Sequence, residues 1–247
     1  MNLFRNQLLI FSICFFNSCI SNSAKIESKG LNIVFKEGAD NLTEFEKKLA
    51  TDILTDSKKE ISKLLPKLPN GIKVIIEVVD WDIDEVGGVT GRAESNSPPL
   101  VMIQVSNKFP GGIVSAINAG LRSTIFHEFH HLSLGWAIKD NRFVPEIPRA
   151  AIIEGLAEVF AEVYTGVVFE ENQVPENVDG NNWVKEILAL PKDADYQKWM
   201  FQHPDGRTSI GYRTGNYLVR QAMFNSGKTI LELSSITSSD LLRLAGY

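Results

Sequence analysis

Three of the four histidines in this 247-residue chain lie within five positions, 127–131. Apolar residues such as Phe126 and Leu132 surround them, which predicts a buried helix. In a helix, side chains at positions i and i+4 lie on one face, so the imidazoles of His127 and His131 can reach the same ion. Glu128 projects close to that face and can take a proton from a nearby water. The pattern H-E-x-x-H therefore predicts a metal site on a helix.

The composition limits what else could bind a metal. Both cysteines, Cys14 and Cys19, lie in the first nineteen residues, which excludes a disulfide scaffold and a thiolate metal site in the rest of the chain. The net charge of -5 argues against a nucleic-acid partner, since such proteins normally carry a basic face. With 44% hydrophobic residues, the chain has the composition of a globular protein with a sizeable core.

A catalytic zinc site needs a third protein ligand beside the two histidines. The metzincin pattern would continue with Gly at position 134 and His at 137, but this chain has Leu134 and Ala137, so that class is excluded. A carboxylate is therefore favoured. Glu154 follows two isoleucines in a second predicted helix, where a carboxylate without a partner would be costly to bury. Asp140 is the alternative third ligand.

The sequence pattern allows more than one role for several neighbouring residues. Glu158 lies one turn beyond the proposed third ligand and can accept a hydrogen bond from a ligand histidine, although a solvated acidic face is the alternative. Glu162 continues the same stripe. His130 lies about 60° around the helix from His127, so contact with substrate, support of a ligand and an incidental position all stay open. His203 lies in a loop rich in Pro, Asp and Gly.

A further motif, G-Y-x-x-G, begins another predicted helix at Gly211. Glycines at 211 and 215 permit close approach of the backbone. The hydroxyl of Tyr212 can donate to the oxyanion that forms when a carbonyl is attacked. Packing of Tyr212 in the core is the alternative.

The order of these motifs resembles a known family. H-E-F-H-H at 127–131, E-G-L-A-E at 154–158 and the late G-Y-x-x-G are similar to a family known as predicted zinc-dependent proteases, and to the gluzincins, or thermolysin-like peptidases. The similarity covers about residues 70–247. One departure is that thermolysin-like peptidases have Asp at the position of Glu158, so the supporting acid here is one methylene longer.

The resemblance implies a zincin-like metalloprotease fold with one Zn²⁺ per chain. It also implies the roles of individual residues: His127, His131 and Glu154 as zinc ligands, Glu128 as general base, Glu158 as support for a ligand histidine, and Tyr212, ahead of His203, as donor to the oxyanion.

The remaining pattern predicts an α+β domain over residues 31–247, with a small N-terminal sheet lobe and a helical lobe that carries the histidines. The predicted strands are 31–36, 72–79 and 100–106, and the predicted helices are 41–65, 113–135, 147–165, 181–190 and 211–225. The glycines around position 88 predict a turn-rich connection. By the same resemblance, strand 100–106 would be an edge strand that pairs with an extended peptide; a place inside the sheet is the alternative.

The first thirty residues predict export. Arg5 precedes an apolar run at 8–16, which is too short to span a bilayer and is typical of a secretory signal. F-N-S-C, ending at Cys19, resembles a relaxed bacterial lipobox. We therefore expect a signal peptide at 1–18, a lipid on Cys19 that holds the protein on a membrane, and a polar tether at 19–30. Cleavage after Ala24, giving a secreted protein, and an uncleaved anchor are the alternatives.

Together these features predict a zinc-dependent peptidase of the cell envelope that acts on a peptide or protein substrate. Two alternatives stay open. One is an envelope lipoprotein, inactive or partner-binding, that retains the zinc site; the other is a zinc hydrolase of a non-peptide amide. Retention of Glu128 favours an enzyme, because a structural zinc site needs four protein ligands and no base.

Overall fold

The computed structural model describes residues 24–28, 30–139 and 146–247. The predicted signal peptide, Cys19 and the alternative ligand Asp140 lie outside the described residues. Within the predicted tether, Ala24–Ser28 forms a strand. Among the described residues, no helix combines the length and apolar character needed to cross a bilayer.

The described residues form a small sheet and a larger set of helices, which confirms the predicted α+β class. The strands are β1 (Ala24–Ser28), β2 (Leu31–Phe35), β3 (Ile72–Val79), β4 (Val89–Asn96) and β5 (Pro99–Ser106). The helices are α1 (Glu44–Leu64), α2 (Gly112–Ala116), α3 (Arg122–Ser133), α4 (Ile147–Thr165), α5 (Gly180–Leu188), α6 (Tyr196–Met200), α7 (Ile210–Ser226), α8 (Ile230–Leu233) and α9 (Ser238–Ala245). Short helical segments are the 3₁₀-helices Asp84–Val86 and Glu170–Asn172 and the π-helix Ile117–Leu121, which joins α2 to α3.

The sheet has the strand order β1-β2-β3-β5-β4. Strands β2, β3 and β5 run parallel, whereas β1 and β4 pair antiparallel at the two edges. Because β5 is paired on both sides, the hypothesis that segment 100–106 is a free edge strand is wrong. The edge strand on that side is β4, which the sequence predicted as a turn-rich connection.

The glycine that obscured β4 in the sequence marks a close approach between this strand and α3. A Cβ atom at Gly91 would lie 2.8 Å from Cγ2 of Thr124 and 2.9 Å from Cγ of Glu128. Both distances are well below van der Waals contact between carbon atoms. The close packing of β4 on α3 therefore requires glycine at position 91. In the sequence, a glycine within a strand resembles a turn signal.

The helices form layers on the buried face of the sheet. Helix α1 begins with a capping box between Thr43 and Glu46. Helix α3 packs against β4, α1 packs against α3, and α4 packs between α3 and α7. Almost every residue of α4 from Ala150 to Glu162 is buried. This helix is therefore the centre of the helical lobe, and two of its glutamates, Glu154 and Glu162, are buried.

Helices α4 and α7 cross with their backbones in contact. A Cβ atom at Gly155 would lie 2.1 Å from the carbonyl carbon of Gly215, and a Cβ atom at Gly215 would lie 1.8 Å from the carbonyl oxygen of Ala151. Any side chain at either position would force the helices apart. Since Glu154 precedes Gly155 and Tyr212 lies one turn before Gly215, this crossing determines how close the two side chains can come.

Candidate metal centre

Three side chains from two helices converge in the interior. His127 and His131 project from α3, and Glu154 projects from α4. Nε2 of His127 lies 2.9 Å from Nε2 of His131, and each nitrogen lies 3.1 Å from Oε2 of Glu154. The side chain of His127 is 12% exposed, and the other two are more buried. The structure thus brings together the three residues that the resemblance implies as ligands.

The spacing of these atoms fits a zinc ion. Zinc binds nitrogen and oxygen ligands at about 2.0–2.1 Å in a tetrahedron, which places the ligand atoms about 3.3 Å from one another. The separations of 2.9–3.1 Å are only slightly shorter. Two imidazoles and one carboxylate are a ligand set of catalytic zinc sites and leave the fourth position for water or substrate.

Glu158 contacts His127 through the ring nitrogen that does not face the other two candidate ligands. Its Oε1 lies 3.0 Å from Nδ1 of His127. If this nitrogen donates its proton to Glu158, the lone pair on Nε2 faces the other two candidate ligands. The side-chain amide of Asn172 donates to the second oxygen of the same carboxylate. For His131, no partner of Nδ1 is found among the described residues.

The charges within the centre reinforce one another. Burial disfavours the charged form of His127, but Glu158 and Glu154 outweigh it and raise the pKa of this imidazole well above its usual value. Burial also disfavours ionised Glu154, but His131 and His127 lower the pKa of its carboxyl far below the usual value. Glu154 is therefore a carboxylate at any working pH, which is the form that binds a metal.

Glu128 lies beside the candidate ligands without being one of them. Its side chain is buried, and the backbone N–H of Ala93 in β4 donates to its carboxylate. Burial raises the pKa of Glu128, and this outweighs the opposite effect of the two histidines. A carboxyl group with a raised pKa is better matched to proton transfer near neutral pH than an ordinary glutamate.

Two tyrosines form an aromatic wall with Phe201 near Glu154. The centroid of the Phe201 ring lies 6.0 Å from that of the Tyr212 ring and 6.1 Å from that of the Tyr196 ring. Burial and the negative charge of Glu154 raise the pKa of both phenols above the usual value, so they stay protonated and able to donate. Tyr196 was missed in the sequence because it lies in a five-residue helix without a motif.

The remaining histidines are held elsewhere. His130 is fully buried, and its Nε2 lies 2.8 Å from Oγ of Ser234. Because this hydroxyl already donates to the carbonyl of Ile230, it must accept from His130, which ties α8 to α3. His203 pairs with Asp205 at 2.9 Å and lies against the ring of Trp199. Neither belongs to the group of three side chains in the described residues that could hold a metal ion.

Comparison with known protein families matches residues 110–243 to the family described as "Predicted Zn-dependent protease (DUF2268)". A search of curated proteins gives no match. The matched region covers more than half of the chain and contains α3, α4 and α7, and so all three candidate ligands and Tyr212. The chain therefore belongs to this family of predicted zinc-dependent proteases.

Proposed function

We propose that the protein is a zinc-dependent peptidase of the gluzincin type. The convergence of His127, His131 and Glu154 beside Glu128 carries this proposal. These three residues would hold the ion, as the resemblance implies. When bound, zinc supplies a Lewis acid that lowers the pKa of a water towards neutrality and polarises the substrate carbonyl.

Glu128 is proposed to move the proton. Its carboxylate accepts a proton from the attacking water, whose oxygen forms a bond to the carbonyl carbon of the substrate. The carbon–nitrogen bond then breaks, and Glu128 returns the proton to the leaving amine. Water is thus added across the peptide bond, and the carboxylate is regenerated. The buried position and raised pKa of Glu128 support this role.

Tyr212 is proposed to donate a hydrogen bond to the oxyanion. Its phenol stays protonated next to the carboxylate of Glu154, and the crossing of α4 and α7 holds it there. A preorganised donor at the developing negative charge is usually among the largest contributions to catalysis of acyl transfer. The contact between Nδ1 of His203 and the carboxylate of Asp205 makes His203 a weaker candidate.

Strand β4 offers a short edge for substrate. In an antiparallel pair, alternate residues turn their backbone groups away from the partner strand. In β4 one such residue is Ala93, whose carbonyl accepts from the N–H of Ile138 at 3.0 Å. Another is Val89, whose carbonyl accepts from the hydroxyl of Thr124 at 3.2 Å. The edge is therefore partly occupied by the chain itself.

Gly91 lies between these two residues and turns the same way. Within the part of the chain that the structure describes, its outward N–H and C=O have no hydrogen-bond partner in the protein. We propose that the backbone of an extended peptide pairs with Gly91, which would lay the substrate next to Glu128.

We also propose that the protein is exported and held at a membrane of the cell envelope by a lipid on Cys19. The lipobox-like sequence before this cysteine supports the proposal. Mass spectrometry of the mature protein is expected to find acylated Cys19 at the N-terminus. A mature protein that begins at Lys25 would contradict it and indicate a secreted form.

Metal analysis tests the proposed function. We expect about one zinc per chain in the purified protein and almost none in His131→Ala, since two ligands cannot hold the ion tightly. His203→Ala is the matched control and should keep its zinc. Hydrolysis of a panel of peptides and unfolded proteins should then stop on addition of a chelator.

Two results would contradict the proposal. Equal zinc content in the wild type and His131→Ala would refute the metal site. Zinc without hydrolysis of any peptide would favour one of the alternatives, a binding protein or, if a non-peptide amide is cleaved, a different hydrolase.

A further inference from the structure

Three consecutive residues beyond α4 each bind a different partner. We call residues 171–173 the strap, because their side chains bridge α4 and α7. The contacts made by the strap are an ion pair between Glu171 and Arg213 of α7 at 2.5 Å, a hydrogen bond from the amide of Asn172 to Glu158, and one from the amide of Gln173 to Glu162 at 2.5 Å. The contact of Asn172 reaches the candidate metal centre, because its partner Glu158 also contacts His127.

Asn172 and His127 hold the two oxygens of one carboxylate. His127 lies 3.0 Å from Oε1 of Glu158, and Asn172 donates to Oε2. Asn172 is itself 7% exposed, so water competes little for its amide. We propose that Asn172 is a positioning residue for the metal centre, which fixes the carboxylate of Glu158 and through it the orientation of His127. This inference rests on the proposed function only in that His127 binds zinc.

The length of the supporting acid explains why a second contact is needed. A glutamate has one more rotatable bond than an aspartate, so a single hydrogen bond to His127 leaves the carboxylate of Glu158 free to turn. Asn172 removes this freedom by holding the other oxygen. Partners that orient a ligand histidine in this way raise the affinity of a site for its metal.

The side-chain amide of Asn172 suits this role because it is a neutral donor. Glu162, one turn further along α4, is paired with the guanidinium of Arg220. Among the described residues, no lysine or arginine forms an ion pair with Glu158. Its contacts are the imidazole of His127 and the neutral amide of Asn172. An amide can fix the carboxylate without neutralising it, so the negative charge of Glu158 stays available to polarise His127.

Zinc affinity, measured by competition with a chromophoric chelator on the full chain, tests this inference without any assay of hydrolysis. We expect Asn172→Ala to bind zinc about tenfold more weakly. Asn172→Asp keeps the size of the side chain but places a second carboxylate against Glu158, so its loss should be at least as large. Gln173→Ala is the matched control in the strap and should change affinity by less than about twofold, since its partner Glu162 does not contact a ligand.

A double-mutant cycle separates positioning from general packing. In a Glu158→Ala background, Asn172→Ala should cause no further loss of zinc affinity, because the residue through which it acts is gone. Circular dichroism of each apo variant checks that the fold is retained, and Asn172→Asp keeps the test valid if Asn172→Ala unfolds.

Three results would overturn the inference: wild-type affinity in both Asn172 variants, an equal loss in Gln173→Ala, or a loss that persists without Glu158. Failure of the wild-type protein to bind zinc would instead refute the proposed function.

Discussion

Glu128→Gln is expected to lower kcat by a factor of about 10²–10⁴ while the protein keeps its zinc. The amide has nearly the shape of the carboxylate but cannot accept a proton from water, and Glu128 is not one of the three converging ligands. Steady-state kinetics on the best peptide, with metal analysis of the same preparation, measures both quantities. Activity equal to that of the wild type would refute the assigned base.

Two further variants show whether the fall in kcat of Glu128→Gln is specific to this residue. Glu60→Gln removes a carboxylate that pairs with Arg122 on the surface, and it should leave kcat unchanged. Tyr212→Phe keeps zinc and the base but removes the proposed donor to the oxyanion, so kcat should fall by about 10²–10³. Loss of zinc in Glu128→Gln would mean that Glu128 serves as a ligand or supports one, and would contradict its assignment as a base alone.

Gly215→Ala is expected to destabilise the fold by about 3 kcal/mol or more, at the upper end of the cost of overpacking. The added methyl group would lie 1.8 Å from the carbonyl oxygen of Ala151, and this backbone atom cannot move away as a flexible side chain can. Helices α4 and α7 must separate, which also displaces Glu154 from the histidines. Urea denaturation measures the free energy of unfolding, and zinc content measures the effect on the site.

The matched control lies on the same helix. Phe224 is 86% exposed on α7, so Phe224→Ala should change the free energy of unfolding by less than about 0.5 kcal/mol. If Gly215→Ala proved as stable as the wild type and kept its zinc, the close crossing of α4 and α7 would be wrong.

The long helices α4 and α7 were predictable because their signals are local, whereas α6, α8 and α9 were not predicted. The predicted helix at 147–165 coincides with α4, and α7 differs by one residue at each end from the predicted 211–225. Apolar periodicity lies within the helix itself, so one stretch of sequence contains the signal.

Strand β4 was not predictable in the same way, since Gly91 is required by packing against Glu128 of a distant helix. The place of β5 inside the sheet depends on β4 as well, because only pairing with that strand covers its second side. Both errors have the same cause: strand order depends on contacts between segments far apart in the chain.

The sequence by itself determined the chemistry of the candidate site. Histidines at 127 and 131 can share a metal wherever a helix forms, and the confinement of both cysteines to the first nineteen residues leaves a carboxylate as the favoured third ligand. Only the tertiary structure decided which groups surround that chemistry. The backbone contact between Gly155 and Gly215 brings Tyr212 to Glu154, and the strap brings Asn172 to Glu158. These contacts depend on how helices pack against one another, and no periodic pattern within a single segment encodes them.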